Sequence, residues 1–257
     1  LYASYTLGRE ARLMAAIDAN NQATSALLRG ELAQAERLYL RALAHDRAIE
    51  NVDGIALDLL GLAQTYQRAQ RGDEALRAAA LVNAEALPGI SPQRLAEAAL
   101  LAATLALARA DWSAATRQAD EAEAQCPPKS CVLEGRIANL RAQLAIVANR
   151  FDEAQAQAQR AIALAEAAGD QVELANALRS AGNASLFVAP AQGLPQGERA
   201  LAIDKQLALS GKIHRDLVLL GRLHLTLGDR EQAARLLVRA RSVAEADGNA
   251  AGLEEVV

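Results

Sequence analysis

Six small residues recur along the chain at almost constant spacing: Ala23, Ala63, Ala103, Ala142, Gly182 and Gly221, separated by 40, 40, 39, 40 and 39 residues. Self-similarity at such a period marks stacked units, none of which can bury its apolar face alone. A second series runs in phase. Ala35, Ala75, Ala115, Ala154 and Ala233 each follow their small partner by 12 residues. Between the two series lies a turn: Arg29-Gly30-Glu31, Arg71-Gly72-Asp73, Arg109-Ala110-Asp111, Asn149-Arg150-Phe151-Asp152 and Leu227-Gly228-Asp229. Glycine ends a helix because it tolerates positive φ, and the acid that follows suits the start of the next helix. Each unit therefore reads as helix, tight turn, helix, with small residues where the two helices touch.

Flanking periodicity agrees. Leu59, Leu62, Ala63 and Tyr66 fall on one helical face, as do Leu217, Leu220, Gly221 and His224. Ala35, Tyr39 and Ala42, and likewise Ala233, Leu237 and Ala240, form the matching stripe of second helices. No stretch alternates with a period of two, so the chain reads as all-α.

This unit resembles the tetratricopeptide repeat, in a variant with about 40 residues rather than the usual ~34. The likeness is carried by Leu62-Ala63, Tyr66, Gly72 and Ala75; by Leu220-Gly221, Gly228-Asp229, Ala233, Leu237 and Ala240; and by Ala23, Gly30, Ala35, Tyr39 and Ala42. Trp112 and Phe151 fill the bulky turn position of the third and fourth units. The resemblance implies a right-handed superhelical α-solenoid of about six repeats. These are expected at 8–53, 54–92, 93–130, 131–170, 171–211 and 212–248, with a further helix starting in 249–257, all in one domain spanning 1–257. A terminal repeat normally carries a polar cap, so that C-terminal end is a candidate for self-association.

Composition narrows the function. The hydrophobic fraction is 52% with only 3% aromatic, so alanine and leucine carry the packing, which argues against disorder. A net charge of −4 gives no electrostatic footprint for nucleic acid. The longest uncharged apolar run, Ala98 to Ala108, is short of the ~20 residues that a membrane span needs.

Cys126 and Cys131 bracket Pro127-Pro128-Lys129-Ser130 between the third and fourth units. Two readings stay open: a disulfide formed in an oxidising compartment, or two free thiols in a cytosolic protein. Residues 188–199, with two prolines and two glycines, read as a loop that breaks the rhythm. On that reading Ala200 is the delayed in-phase alanine, about six residues late. The Asn183-Ala184-Ser185 sequon falls inside an expected helix and is discounted.

No catalytic constellation stands out. His45, His214 and His224 lack metal-ligand spacing, and Asp120, Glu121 and Glu123 suit a solvated face. No cofactor or metal is expected. The resemblance places a binding groove on the first helices, about six and three residues before the small residue and one after it. In the fourth unit these positions are Arg136, Asn139 and Gln143; in the fifth, Asn176, Arg179 and Asn183; in the sixth, Arg215, Val218 and Arg222. The second unit offers Gln64 and Arg68, and the third Glu97, Leu100 and Thr104. Arginine holds carboxylates in a planar fork, and asparagine can hold an extended backbone. The expectation is a non-enzymatic scaffold for an extended peptide or acidic protein segment, in a bacterial periplasm or as an outer-membrane lipoprotein whose leader is gone. The alternative is a cytoplasmic sensor or regulatory domain of a larger protein, binding a peptide or small effector.

Overall fold

The computed structural model describes residues 2–83, 86–126, 131–248 and 252–253, with backbone only for 2–6. Among the described residues there are twelve helices and no strand. The chain divides into two compact units, Leu1–Leu133 and Glu134–Val257. The first unit holds α1 (Tyr2–Leu28), α2 (Leu32–Ala48), α3 (Val52–Arg68), α4 (Gly72–Ala80), α5 (Pro92–Ala108) and α6 (Trp112–Gln125). The second holds α7 (Glu134–Val147), α8 (Phe151–Ala168), α9 (Gln171–Val188), α10 (Pro190–Gln206), α11 (Ser210–Thr226) and α12 (Arg230–Ala246).

Each small-residue pair sits on one antiparallel helix pair. Ala23, Ala63, Ala103 and Ala142 are fully buried, as are Ala35, Ala75, Ala115 and Ala154. A methyl group or a hydrogen at these places lets the two backbones meet, and leucines around them fill the space between pairs. Tyr39 shows the fit in the first unit. Its ring lies flat on Gly61, where a Cβ would collide with it, and its hydroxyl meets Thr24 Oγ1 at 3.0 Å. In the second unit Leu217 and Leu223 are buried completely, each contributing roughly 1.5–3 kcal/mol relative to exposure.

Turns within five of the six pairs share one device, a single left-handed residue: Gly30, Gln70, Ala110, Asn149 and Gly228 all have positive φ. In the second repeat that residue is Gln70 rather than the expected Gly72. Gly72 instead opens α4, and a Cβ there would lie 2.9 Å from Arg109 Nη2. Asp111, Asp170 and Asp229 cap α6, α9 and α12, each accepting a backbone N–H three residues on. Arg68 donates to the Leu27 carbonyl at the end of α1, which also accepts from the Gly30 N–H at 3.1 Å.

The segment expected as a loop at 188–199 is helical. Only Ala189 interrupts the chain between α9 and α10. Pro190 occupies the first turn of α10, where its missing N–H costs nothing. Its glycines serve packing. A Cβ on Gly193 would lie 2.8 Å from Leu223 Cδ2 and 3.1 Å from Ser185 Cβ, and one on Gly197 would lie 2.9 Å from Leu220 Cδ2. Nothing is inserted. Gly193, Gly197 and Ala200 repeat the spacing of Ala35, Tyr39 and Ala42, so Ala200 is the last member of its stripe rather than a delayed first. Ser185 of the discounted sequon is buried in α9. Of the further helix expected in 249–257, residues 252–253 are helical and the remainder lies outside the described residues.

Candidate functional site

In the second unit α7 packs beside α9, and α9 beside α11, so the first helices form a row. The row carries all eight expected groove residues. Their exposure differs sharply. Arg136, Arg215 and Arg222 are exposed; Gln143, Asn176 and Asn183 are half-buried; Asn139 and Arg179 are buried.

Arg179 is committed inside the molecule. Its Nε donates to Asp216 Oδ1 at 2.6 Å, its Nη2 donates to Asp204 Oδ2, and its Nη1 donates to Asn176 Oδ1 at 3.2 Å. The two aspartate side chains are fully buried and the Arg179 side chain is 11% exposed. The position read from sequence as facing a ligand carboxylate therefore faces two carboxylates of its own chain, one from α10 and one from α11. Burial pushes the Asp216 carboxyl up to about 7, and Asp204 beside it adds to that while Arg179 opposes it. Two buried carboxylates side by side disfavour the second negative charge, which a retained proton removes.

Polar contacts run on from Arg179. Asn176 Nδ2 donates to Glu173 Oε2 at 3.2 Å, and Ser180 Oγ donates to Asn139 Oδ1 at 2.6 Å. Glu173 is buried, which raises its carboxyl above the ordinary glutamate range; Asn176 and the charge of Arg136 pull the other way. Lys212, at the start of α11, is lowered by burial, with Asp204 opposing. Asn139 and Arg179 thus belong to the frame beneath the face. Arg136, Gln143, Asn183 and Arg215 make no side-chain hydrogen bond among the described residues. They remain available to a ligand: two cations on α7 and α11, with an amide on α7 and another on α9.

Sequence reasoning passed over Glu173, Asp204, Lys212 and Asp216. A signal was present. Asp204 and Asp216 are 12 residues apart, and so are Asp46 and Asp58, with Asp216 and Asp58 each five residues before their small residue.

The first unit differs. Arg68 is spent on the Leu27 carbonyl, and Glu97 pairs with Arg94 at 2.6 Å. Cys126 and Cys131 stand with their Cα atoms 5.3 Å apart, within the range a disulfide requires. No helix among the described residues is long and apolar enough to cross a membrane.

These features define an all-helical repeat protein with a polar face on its first helices. Solved structures share the fold. BtubC from P. vanneervenii matches with TM-score 0.61 and 18% identity, over 85% of this chain and 90% of that one. A Rap protein, solved in complex with Competence and Sporulation Factor, matches with TM-score 0.71 and 12% identity, over 93% of this chain and 68% of that one. Aspartyl phosphate phosphatase F from Bacillus subtilis matches with TM-score 0.61 and 14% identity, over 85% of this chain and 58% of that one. At these identities the likeness is one of fold. No family model and no curated protein matches the sequence.

Proposed function

We propose that the chain is a non-enzymatic interaction scaffold that holds an extended peptide or acidic protein segment on the first-helix face of its second unit. The observation that carries this reading is the set Arg136, Gln143, Asn183 and Arg215: polar, at least partly accessible, without a side-chain hydrogen bond among the described residues, and spread over three neighbouring helices. Two guanidinium groups favour carboxylates, and side-chain amides between them suit a peptide backbone. Arg222, also exposed, lies on the same helix as Arg215. The Rap protein solved with Competence and Sporulation Factor supports the use of this fold as a binding platform. The phosphatase in another neighbour's name does not transfer at 14% identity. The pairing of Cys126 with Cys131 supports an oxidising compartment, and so the periplasmic or lipid-anchored setting.

A peptide array probed with the purified protein tests this reading. Acidic peptides or free C-terminal carboxylates should bind best, and Arg136→Ala and Arg215→Ala should each weaken binding without altering the thermal melt. The weakening should shrink as salt is raised, because both guanidinium groups are exposed. Selection of basic or apolar peptides, or binding indifferent to both substitutions, would overturn it.

A further inference from the structure

The second unit sets a cation at two places beside its buried aspartates. Arg179 lies three residues before the small residue Gly182, and Lys212 lies nine before Gly221. The first unit repeats the aspartates without the cations. Asp46 follows Ala35 by the 11 residues that separate Asp204 from Gly193, and Asp58 precedes Ala63 by the five that separate Asp216 from Gly221. At the place of Arg179 stands Asn20, and at the place of Lys212 stands Gly54.

We propose that Asp46 and Asp58 form a proton-operated latch between the first and second repeats, in which one proton shared by the two carboxyl groups does the work that Arg179 does in the second unit. The geometry carries it. Both residues are buried, Asp58 completely, and they come from α2 and α3. From α1, Asn20 Nδ2 donates to Asp58 Oδ1 at 2.6 Å. From the turn before α3, Asn51 Nδ2 donates to Asp46 Oδ1 at 2.8 Å. From α3, Gly54 presents bare backbone, since a Cβ would collide with Asp46 Oδ2. The phenol of Tyr39 on α2 faces the same space and feels the Asp58 charge. Two amides, a glycine and a phenol supply no positive charge among the described residues. Asp58 Oδ2 is buried and accepts no hydrogen bond from any of them, as expected of an oxygen turned toward a second carboxyl. Two like charges in such a place cannot both persist.

The direction of the effect follows from proton counts. Burial, with Asp46 adding to it, pushes the Asp58 carboxyl up to about 7, against roughly 3.9 in an unfolded chain. Between those values the open form binds fewer protons, so the latch weakens as pH rises from about 4 to about 7, then changes no further.

Hydrogen exchange of the α2 and α3 amides, corrected for intrinsic chemistry, reads the latch in the unaltered protein. Their opening should rise by at least about tenfold from pH 5 to pH 8. Asp58→Asn replaces the shared proton with a fixed N–H and should remove most of that rise; Asn20→Lys, by placing a cation beside the pair, should lessen it without abolishing it, as Arg179 leaves Asp216 still raised in the second unit. Opening independent of pH in the parent overturns the proposal. So does a pH dependence that survives in a folded Asp58→Asn protein. Suppression of the parent's pH dependence by millimolar Mg²⁺ or Ca²⁺ also overturns it, because the pair would then hold a metal in place of a proton.

Discussion

Gly182 and Gly193 face each other across α9 and α10, so closely that a Cβ built on Gly193 would lie 3.2 Å from the Gly182 carbonyl oxygen. This contact replaces the alanine pairs of the first four repeats and accompanies the one-residue connection through Ala189. Gly193→Leu should overpack the contact and destabilise the protein by ~1–3 kcal/mol. Gly221→Leu should do likewise against Leu237, whose Cγ and Cδ2 would both lie 2.9 Å from the new Cβ. Gly8→Leu, which meets nothing within 4 Å, is the control and should melt like the parent. Urea denaturation of the three variants reads the difference, and equal midpoints would refute the helix contacts described.

Arg179→Ala should strip two buried aspartates of their shared partner. Removing one side of a buried ion pair typically costs ~3–5 kcal/mol. The exposed Arg215→Ala should change stability by no more than ~0.5 kcal/mol. Equilibrium unfolding at pH 8, where proton uptake rescues the aspartates least, gives the largest contrast. An Arg179→Ala protein as stable as the parent would move this arginine from the frame to the binding face.

Asp216 gives the second unit a pH dependence of the same sign as that of Asp58. Its carboxyl is raised to about 7, so the second unit loses stability progressively as pH rises from about 4 to about 7. Asp216→Asn leaves Arg179 bonded to Asp204 with no second buried carboxylate beside it. Calorimetry should show the variant's midpoint falling less steeply over that range than the parent's. A parallel fall in both proteins would show that another group is responsible.

Cys126 and Cys131 should be joined in protein isolated without reductant. Intact mass should be two hydrogens below the reduced value, and alkylation before reduction should label neither thiol. Labelling of both thiols in fresh native protein would place the chain in a reducing compartment and favour the cytoplasmic sensor reading.

The repeat was legible because steric exclusion at a helix contact acts at each residue separately: only glycine or alanine fits, and each leaves its mark at a fixed interval. The polar frame was less legible. Arg179 looked like a groove arginine because its partners lie 25 and 37 residues away, on other helices. Composition misled at 188–199, where Gly193 and Gly197 are small for the sake of Leu223 and Leu220 rather than for turning. Pro195 lies inside a helix that propensity alone would end there. Tertiary packing outweighed local preference in both cases.

A disulfide between Cys126 and Cys131 would have a consequence for the fate of a damaged molecule. The four residues between them precede the division at Leu133 and Glu134. With the sulfurs joined, a protease that cuts within those four residues opens a ring without separating the halves. The nicked chain would run as one species until reduced and as two afterwards, so the small covalent circle turns a severing cut into a silent one.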